Sequence, residues 1–293
     1  MITNVLVTGG THGNELTGVN VVKHWEQIKP TLKLPQNTPS ISCTITNSDA
    51  VKYRTRFIDQ DLNRQFSLEK LALNENKSDE LLCKEERLAQ SLNKEIGPKS
   101  SPSYDLVIDF HNTTANLGPC LIILCKGEFE VSMARYVKSV MPSSVMLLEN
   151  EKPYEDFPYL CTLGKHGVMI ELGNQAHGVN DPSIYLNGLQ LLQAILDFCR
   201  LYNENNLPAL MPVECYHLTG EVKYPDGAMH EYMIHPDLFG HDFEELKSGD
   251  PCFISVDGET VQWEGNATFP HFIGEVAYQH LGMAFSTSDR ILL

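Results

Sequence analysis

The stretch Val5-Leu6-Val7-Thr8-Gly9-Gly10-Thr11-His12-Gly13-Asn14-Glu15 decides how this chain is read. An apolar β-type run stops at two glycines, a histidine follows, and a glutamate comes three residues later. From Leu16 to about Glu26 the apolar residues Leu16, Val19, Val22 and Trp25 recur every third position, which predicts a helix. Buried strand, tight turn, His with Glu, then helix: this order sets metal-capable side chains at the carboxyl end of a strand. Open α/β sheets build their sites there.

Outward from this turn, strands and helices alternate to about residue 203. Ile41–Thr46 alternates like a strand. Leu106–Phe110 is a short apolar strand that runs into His111-Asn112-Thr113-Thr114. Cys120–Cys125, Ser144–Leu148 and Val168–Leu172 read as further strands, the last carrying Glu171 near its end. Glu80–Ile96, Glu128–Met141 and Pro182–Tyr202 read as helices, and Gly97-Pro98 stops the first of them. Lys29–Ser40, with three prolines, is a loop, and Leu68–Asp79 a charged surface segment. Asn47–Phe66 is polar, rich in arginine and without clear periodicity; such a long irregular stretch in a compact domain is functional or disordered, and its aromatic and apolar content favours order.

This alternation predicts an α/β domain with a largely parallel or mixed sheet. Past a linker at 203–212 the pattern changes to short β-type runs: Val213–His217, Gly220–Tyr224, Phe253–Val256, Thr260–Trp263 and Thr268–Phe272. They predict a smaller β-rich domain, so the chain divides into residues 1–204 and 205–293.

At 293 residues and 42% hydrophobic the chain can bury a substantial core. A net charge of −16 argues against nucleic acid as a partner, since that requires basic surface. Yet Arg54, Arg56 and Arg64 fall within eleven residues, a local concentration that suggests a focused anion site. The eight cysteines form no CxxC pair; Cys120 and Cys125 are expected on opposite strand faces. All eight read as reduced thiols of a cytoplasmic protein. Met1-Ile2-Thr3-Asn4 leads straight into the first strand without the regions of a signal peptide. No apolar run approaches the ~18–20 residues of a membrane span.

Three strand ends therefore present the chemistry: His12 with Glu15, His111, and Glu171. A catalytic zinc takes three protein ligands from His and carboxylate and leaves a fourth position open. His12, Glu15 and His111 make such a set. Glu171, after an apolar run, sits where desolvation would raise a carboxyl pKa and make it a proton shuttle. Arg56 or Arg64 could stabilise an oxyanion, and the other could hold a substrate carboxylate in a bidentate fork. Three other features fit less well. His230-Glu-Tyr-Met-Ile-His235 has one residue too many for the zincin H-E-x-x-H, and its flanks Asp226-Gly227 and Pro236-Asp237 suggest turns. Gly9-Gly10-Thr11-His12-Gly13 is neither a dinucleotide fingerprint nor a P-loop. Asp59 and Asp61, beside the arginines, read as structural partners of the loop.

Gly9–Gly18, Arg56–Arg64 and Asp109–Thr114, in that order and followed by Ile170-Glu171-Leu172-Gly173 and Glu275-Val276-Ala277-Tyr278, resemble the aspartoacylase family. That family sits with the zinc carboxypeptidase-like amidohydrolases, next to succinylglutamate desuccinylases. The resemblance implies a zinc carboxypeptidase-like α/β fold: a mixed sheet with flanking helices, plus a smaller β-rich C-terminal domain covering the active site. It implies one zinc on His12, Glu15 and His111, with Glu171 as acid/base. It implies Arg56 at the scissile carbonyl, Asn63 and Arg64 on a substrate carboxylate, and Tyr278 reaching over the substrate.

The activity implied is deacylation of an N-acyl-L-aspartate, N-acetyl-L-aspartate and water giving acetate and L-aspartate, in a homo-oligomer that is itself only implied. Two positions depart from the pattern. Cys161 stands where an arginine is expected and Leu281 where a lysine is expected, with Lys152, Lys165 and His280 as candidate replacements. The alternatives are an aminoacylase for neutral, aromatic or succinylated N-acyl amino acids, or a zinc-binding module without turnover.

Overall fold

The N-terminal apolar run forms β1 (Asn4–Gly9), whose two faces bury different sides of the molecule. Val5 and Val7 enter one core and Leu6 the other, as the period of a strand requires. The computed structural model describes residues 1–32, 34–225 and 229–293. In it β1 pairs in parallel with β2 (Ser40–Ile45) and with β3 (Leu106–Asn112). All seven residues of β3 are buried, the pattern of a strand covered on both faces. β4 (Pro119–Ile123), β5 (Val145–Leu148) and β6 (His166–Leu172) continue the sheet. Two long strands, β7 (Glu214–Lys223) and β11 (Met283–Leu292), close its far edge. The order is β11-β7-β5-β4-β6-β3-β1-β2. It is mixed: β4 runs antiparallel to β6, and β11 to β7.

Helices cover both faces. α1 (Leu16–Lys23), α2 (Trp25–Ile28), α6 (Glu128–Val140) and α7 (Pro182–Asn203) pack on the Val5/Val7 side. α4 (Leu68–Glu75) and α5 (Lys84–Ile96) pack on the Leu6 side. α7 starts cleanly: the Asp181 carboxylate accepts from the Ser183 and Ile184 amides, and Pro182 opens the first turn. β8 (Tyr232–Ile234), β9 (Pro251–Ser255) and β10 (Thr260–Gln262) form a separate antiparallel sheet over a satellite core of Tyr224, Ile234, Phe253 and Phe285. No helix among the described residues is long and apolar enough to cross a membrane.

The expected α/β architecture with a β-rich C-terminal part is present, and several elements differ in detail. The first helix breaks at His24, which lets Trp25 and Ile28 turn back into the core. The irregular 47–66 stretch contains α3 (Ser48–Tyr53), capped by Asn47, whose side chain accepts from the Ala50 amide. It is too short to show a period. The charged segment 68–79 is helical through Glu75. Thr268–Phe272 is not a strand: it makes only isolated bridges, Leu246 to Thr268 and His271 to Ser286. Pro270 between them has no amide to donate. β4 ends at Ile123, so Cys125 lies beyond the strand and the opposite-face relation to Cys120 does not arise. All eight cysteines are free thiols.

Candidate active site

The turn after β1 brings His12 and Glu15 to the sheet's carboxyl edge, and β3 delivers His111 beside them. His12 Nδ1 lies 2.8 Å from one Glu15 oxygen, and His111 Nδ1 lies 3.0 Å from the other. The two Nδ1 atoms are 3.2 Å apart. All three donor groups fall within 4.8 Å of one another and are buried.

The outer nitrogens of both rings are held by carboxylates. His12 Nε2 is 2.9 Å from Asp61 Oδ1, and His111 Nε2 is 2.8 Å from Asp109 Oδ2. Asp109 is itself fixed by the hydroxyls of Thr8 and Thr11 at 2.7 and 2.9 Å. A carboxylate on the far nitrogen is the usual device that sets a ligating imidazole's tautomer and aims its lone pair. Two imidazole lone pairs and a carboxylate aimed at one point repel each other unless a cation lies between them. Burial alone would push the Glu15 carboxyl up, but His12 and His111 outweigh it and hold the group well below the usual carboxylate range. The donor set fits a divalent metal of the zinc type.

Glu171, on β6, is the register partner of His111 on β3. Its carboxyl accepts no hydrogen bond among the described residues. Burial raises its pKa well above the usual value; the Glu15 and Glu275 carboxylates add to this, and His111 and Arg56 oppose it. Arg56 is held against the candidate ligand set, donating to Glu15 Oε1 at 2.9 Å and to Asp61 Oδ2 at 3.1 Å. Asn63 is buried; its Oδ1 accepts from the Leu160 amide at 2.8 Å and its Nδ2 lies 3.4 Å from His111 Nε2. Arg64 donates to the Asn63 carbonyl at 3.0 Å, and its guanidinium lies 5.3 Å from the Tyr159 ring centre. Tyr278 packs edge-on against Phe272, and burial pushes its phenol pKa up.

All eight residues singled out in the sequence, His12, Glu15, Arg56, Asn63, Arg64, His111, Glu171 and Tyr278, line one cleft. The two departures do not. Cys161 is fully buried away from the cleft and Leu281 is exposed. The candidate replacements also miss the lining: Lys165 pairs with Asp105, Lys152 lies over the Phe157 ring, and His280 is exposed. His235 lies beside Asp237 and His230 is in no candidate metal cluster among the described residues; Asp226-Gly227, on that motif's flank, falls outside them.

Of the lining residues to which the sequence assigns no role, three bear on the chemistry. Glu149 is buried at the end of β5, where the Tyr159 hydroxyl donates to it at 3.1 Å. Tyr159 is the second. The third, Glu275, accepts from the Thr114 amide at 2.7 Å and from the Thr113 hydroxyl, which ties the C-terminal part to the loop after β3. Apolar Leu147-Leu148 before Glu149 is the same strand-end signal that marked Glu171.

A carboxylate-braced His-Glu-His cleft thus lies at the carboxyl edge of the mixed sheet of an α/β protein. Residues 1–199 match the model of the succinylglutamate desuccinylase/aspartoacylase catalytic domain, and residues 211–290 the AstE/AspA barrel-sandwich hybrid domain. The chain belongs to this succinylglutamate desuccinylase/aspartoacylase family. It is 37% identical to the aspartoacylase of Rattus norvegicus, over all of this chain and 94% of that protein. It is 33% identical to an N-acyl-aromatic-L-amino acid amidohydrolase (carboxylate-forming) of Xenopus laevis, over 99% and 95%. The crystal structure of murine aminoacylase 3 superposes with a TM-score of 0.88 at 33% identity, covering all of this chain and 96% of that one.

Proposed function

We propose that this cleft hydrolyses the amide of an N-acyl amino acid around one zinc ion per chain. N-acyl-L-aspartate is the leading substrate, N-acetyl-L-aspartate yielding acetate and L-aspartate. The observation that carries the reading is the unpaired Glu171 carboxyl facing a braced His12-Glu15-His111 set from the adjacent strand. A pure metal binder has no use for such a group. The similarity to proteins named aspartoacylase and amidohydrolase supports the same reading.

Bound in this set, the metal supplies Lewis acidity at the acyl carbonyl and makes water more acidic. The rest falls to the chain's own side chains. Glu171 takes the proton of the attacking water and returns it to the leaving amine nitrogen, so a carboxylate and a free amino acid depart. Its raised pKa suits both directions of transfer. Arg56, fixed by Glu15 and Asp61, donates to the carbonyl oxygen as negative charge develops there. The Asn63 amide and the Arg64 guanidinium take the substrate α-carboxylate. Tyr278 closes over the substrate from the 205–293 segment, so residues 1–204 act as the catalytic domain and 205–293 as its cover.

A second reading, for neutral or aromatic N-acyl amino acids, is favoured by one observation. Among the described residues lining the cleft, Arg56 and Arg64 are the only Lys or Arg, and they face four carboxyl residues, Glu15, Glu149, Glu171 and Glu275. Comparing kcat/KM for N-acetyl-L-aspartate with N-acetylated aromatic and neutral and N-succinylated amino acids, with bound zinc measured on the same sample, separates these. A marked preference for N-acetyl-L-aspartate upholds the leading substrate; one zinc bound and no amide cleaved overturns the deacylase. The free thiols fit a cytoplasmic setting.

A further inference from the structure

The loop that carries Arg56 has no helix or strand of its own from residue 54 to 61, yet its guanidinium must hold a fixed place. Glu15 and Asp61 hold the guanidinium itself; what holds the backbone behind it is a residue outside the cleft. Glu85, in the first turn of α5, is fully buried. Its Oε1 accepts from the Ile58 amide at 2.8 Å, and its Oε2 from the Asp59 and Gln60 amides at 3.0 and 3.1 Å. Three successive amides around one anion make a backbone nest.

The clasp works in both directions, because the Asp59 carboxylate accepts from the Lys84 amide at 2.9 Å. Asn47 Nδ2 gives Glu85 a fourth donor at 3.2 Å, and the Asn47 amide donates to the Gly10 carbonyl at 3.2 Å. One carboxylate thus joins the arginine loop to the turn that carries His12. The group of Asp59, Cys83 and Glu85 has the spacing of a metal site, but the Glu85 oxygens face N–H donors, which leave no room or charge for a cation.

We propose that Glu85 is a positioning residue for the hydrolysis, its carboxylate fixing residues 58–60 so that Arg56 and Arg64 meet the substrate. This rests on the deacylase reading of the cleft. Glu85 touches no substrate. It acts because its buried carboxylate takes the amides of residues 58–60, between the tie of the Gly13 amide to the Arg56 carbonyl on one side and the Asp61 cap on the other.

Two measurements on the zinc-loaded full chain test this. Amide hydrogen exchange of wild type should show Ile58, Asp59 and Gln60 protected as though they lay in a helix. Glu85→Gln should speed exchange at these three at least tenfold and leave the β3 amides unchanged. In kinetics, Glu85→Gln should keep one zinc per chain and lose roughly 10–100-fold in kcat/KM, with KM raised and kcat lowered, since both arginines move. In an Arg64→Ala background the same substitution should raise KM far less, because the group it positions is gone.

Exchange of the three wild-type amides at open-loop rates overturns the proposal whether or not any variant folds. So does a Glu85→Gln enzyme within twofold of wild type, or an equal KM penalty in the two backgrounds. A wild type that cleaves no N-acyl amino acid fails the deacylase reading instead, and the exchange data still decide whether the clamp exists.

Discussion

At the scale of single residues the site is a contest between carboxyl groups placed in different surroundings. Glu15 is held low by two imidazoles, while Glu171, also buried, is pushed high. Environments that drive two acids apart assign their roles: one stays an anion and binds, the other exchanges protons. Replacing Glu171 by Ala should leave zinc content at the wild-type level and reduce kcat by roughly 10²–10⁴-fold, the usual size of an acid/base contribution. Near-normal kcat would remove Glu171 from the mechanism. Glu149 is a third case. Burial pushes its pKa up to about 7, with the Glu151 charge adding, while Tyr159, Arg64 and Lys152 favour the anion. It is therefore neutral below pH 7 and negative above. As pH rises from 6 to 8 the new charge should repel a substrate with a side-chain carboxylate. The ratio of kcat/KM for N-acetyl-L-aspartate to that for an N-acetylated neutral amino acid should fall several-fold over this range. In Glu149→Gln the ratio should stay flat. A flat ratio in wild type would mean that Glu149 does not meet the substrate's side chain.

At the scale of elements, close packing of α1 on the sheet sets where Glu15 points. A Cβ on Gly18 would lie 2.4 Å from the Phe110 Cβ and 3.1 Å from the Gly9 Cα, so helix and strands meet there without a side chain between them. Gly18→Ala should force α1 away from β1 and β3 and destabilise the fold by ~1–3 kcal/mol, the usual cost of overpacking. Thermal melting should fall by a few degrees and zinc affinity should drop with it, since Glu15 immediately precedes the helix; an unchanged melt and titration would show that the sheet yields freely. The His12–Glu15 turn was readable for a simpler reason. Strand, glycines, His12, Glu15 and helix are contiguous, so the local pattern contains the local structure. His111 and Glu171 were readable for a related reason, each closing an apolar run. Glu149 closes an apolar run as well and carries that same signal; Asp109 and Glu85 do not, because what each does depends on a group far along the chain: Thr8 and the 58–60 amides. β11 escaped notice because its buried Ser286 and Ser288 are polar, which hides the alternation of the strand. Cys161 and Leu281 drew attention as altered pocket positions, and three-dimensional placement takes both out of the cleft.

At the scale of the whole molecule, a division near residue 204 cuts through both the main sheet and the cleft wall. Residues 205–293 give the main sheet two of its eight strands: β7 pairs with β5 through Leu147–Tyr216 and Leu148–His217, and β11 runs along β7 for most of its length. The same segment supplies Phe272, Glu275, Ala277 and Tyr278 to the cleft wall. Glu275 also binds the Thr113–Ala115 loop directly after His111. A fragment of residues 1–204 should therefore fail in two ways. It bares the β5 edge beside the buried Leu147 and Leu148, and an unpaired apolar edge invites association with other chains. It also leaves the loop after β3, close to His111, without its carboxylate anchor. The expected result is a fragment that elutes as aggregate in size-exclusion chromatography and cleaves no N-acyl amino acid. Adding residues 205–293 as a separate chain should restore solubility only if both are refolded together, because β7 has to enter the sheet for β11 to follow. A soluble, monomeric 1–204 that takes up zinc with wild-type affinity would show instead that the boundary separates independent folding units and that the sheet tolerates the loss of its edge.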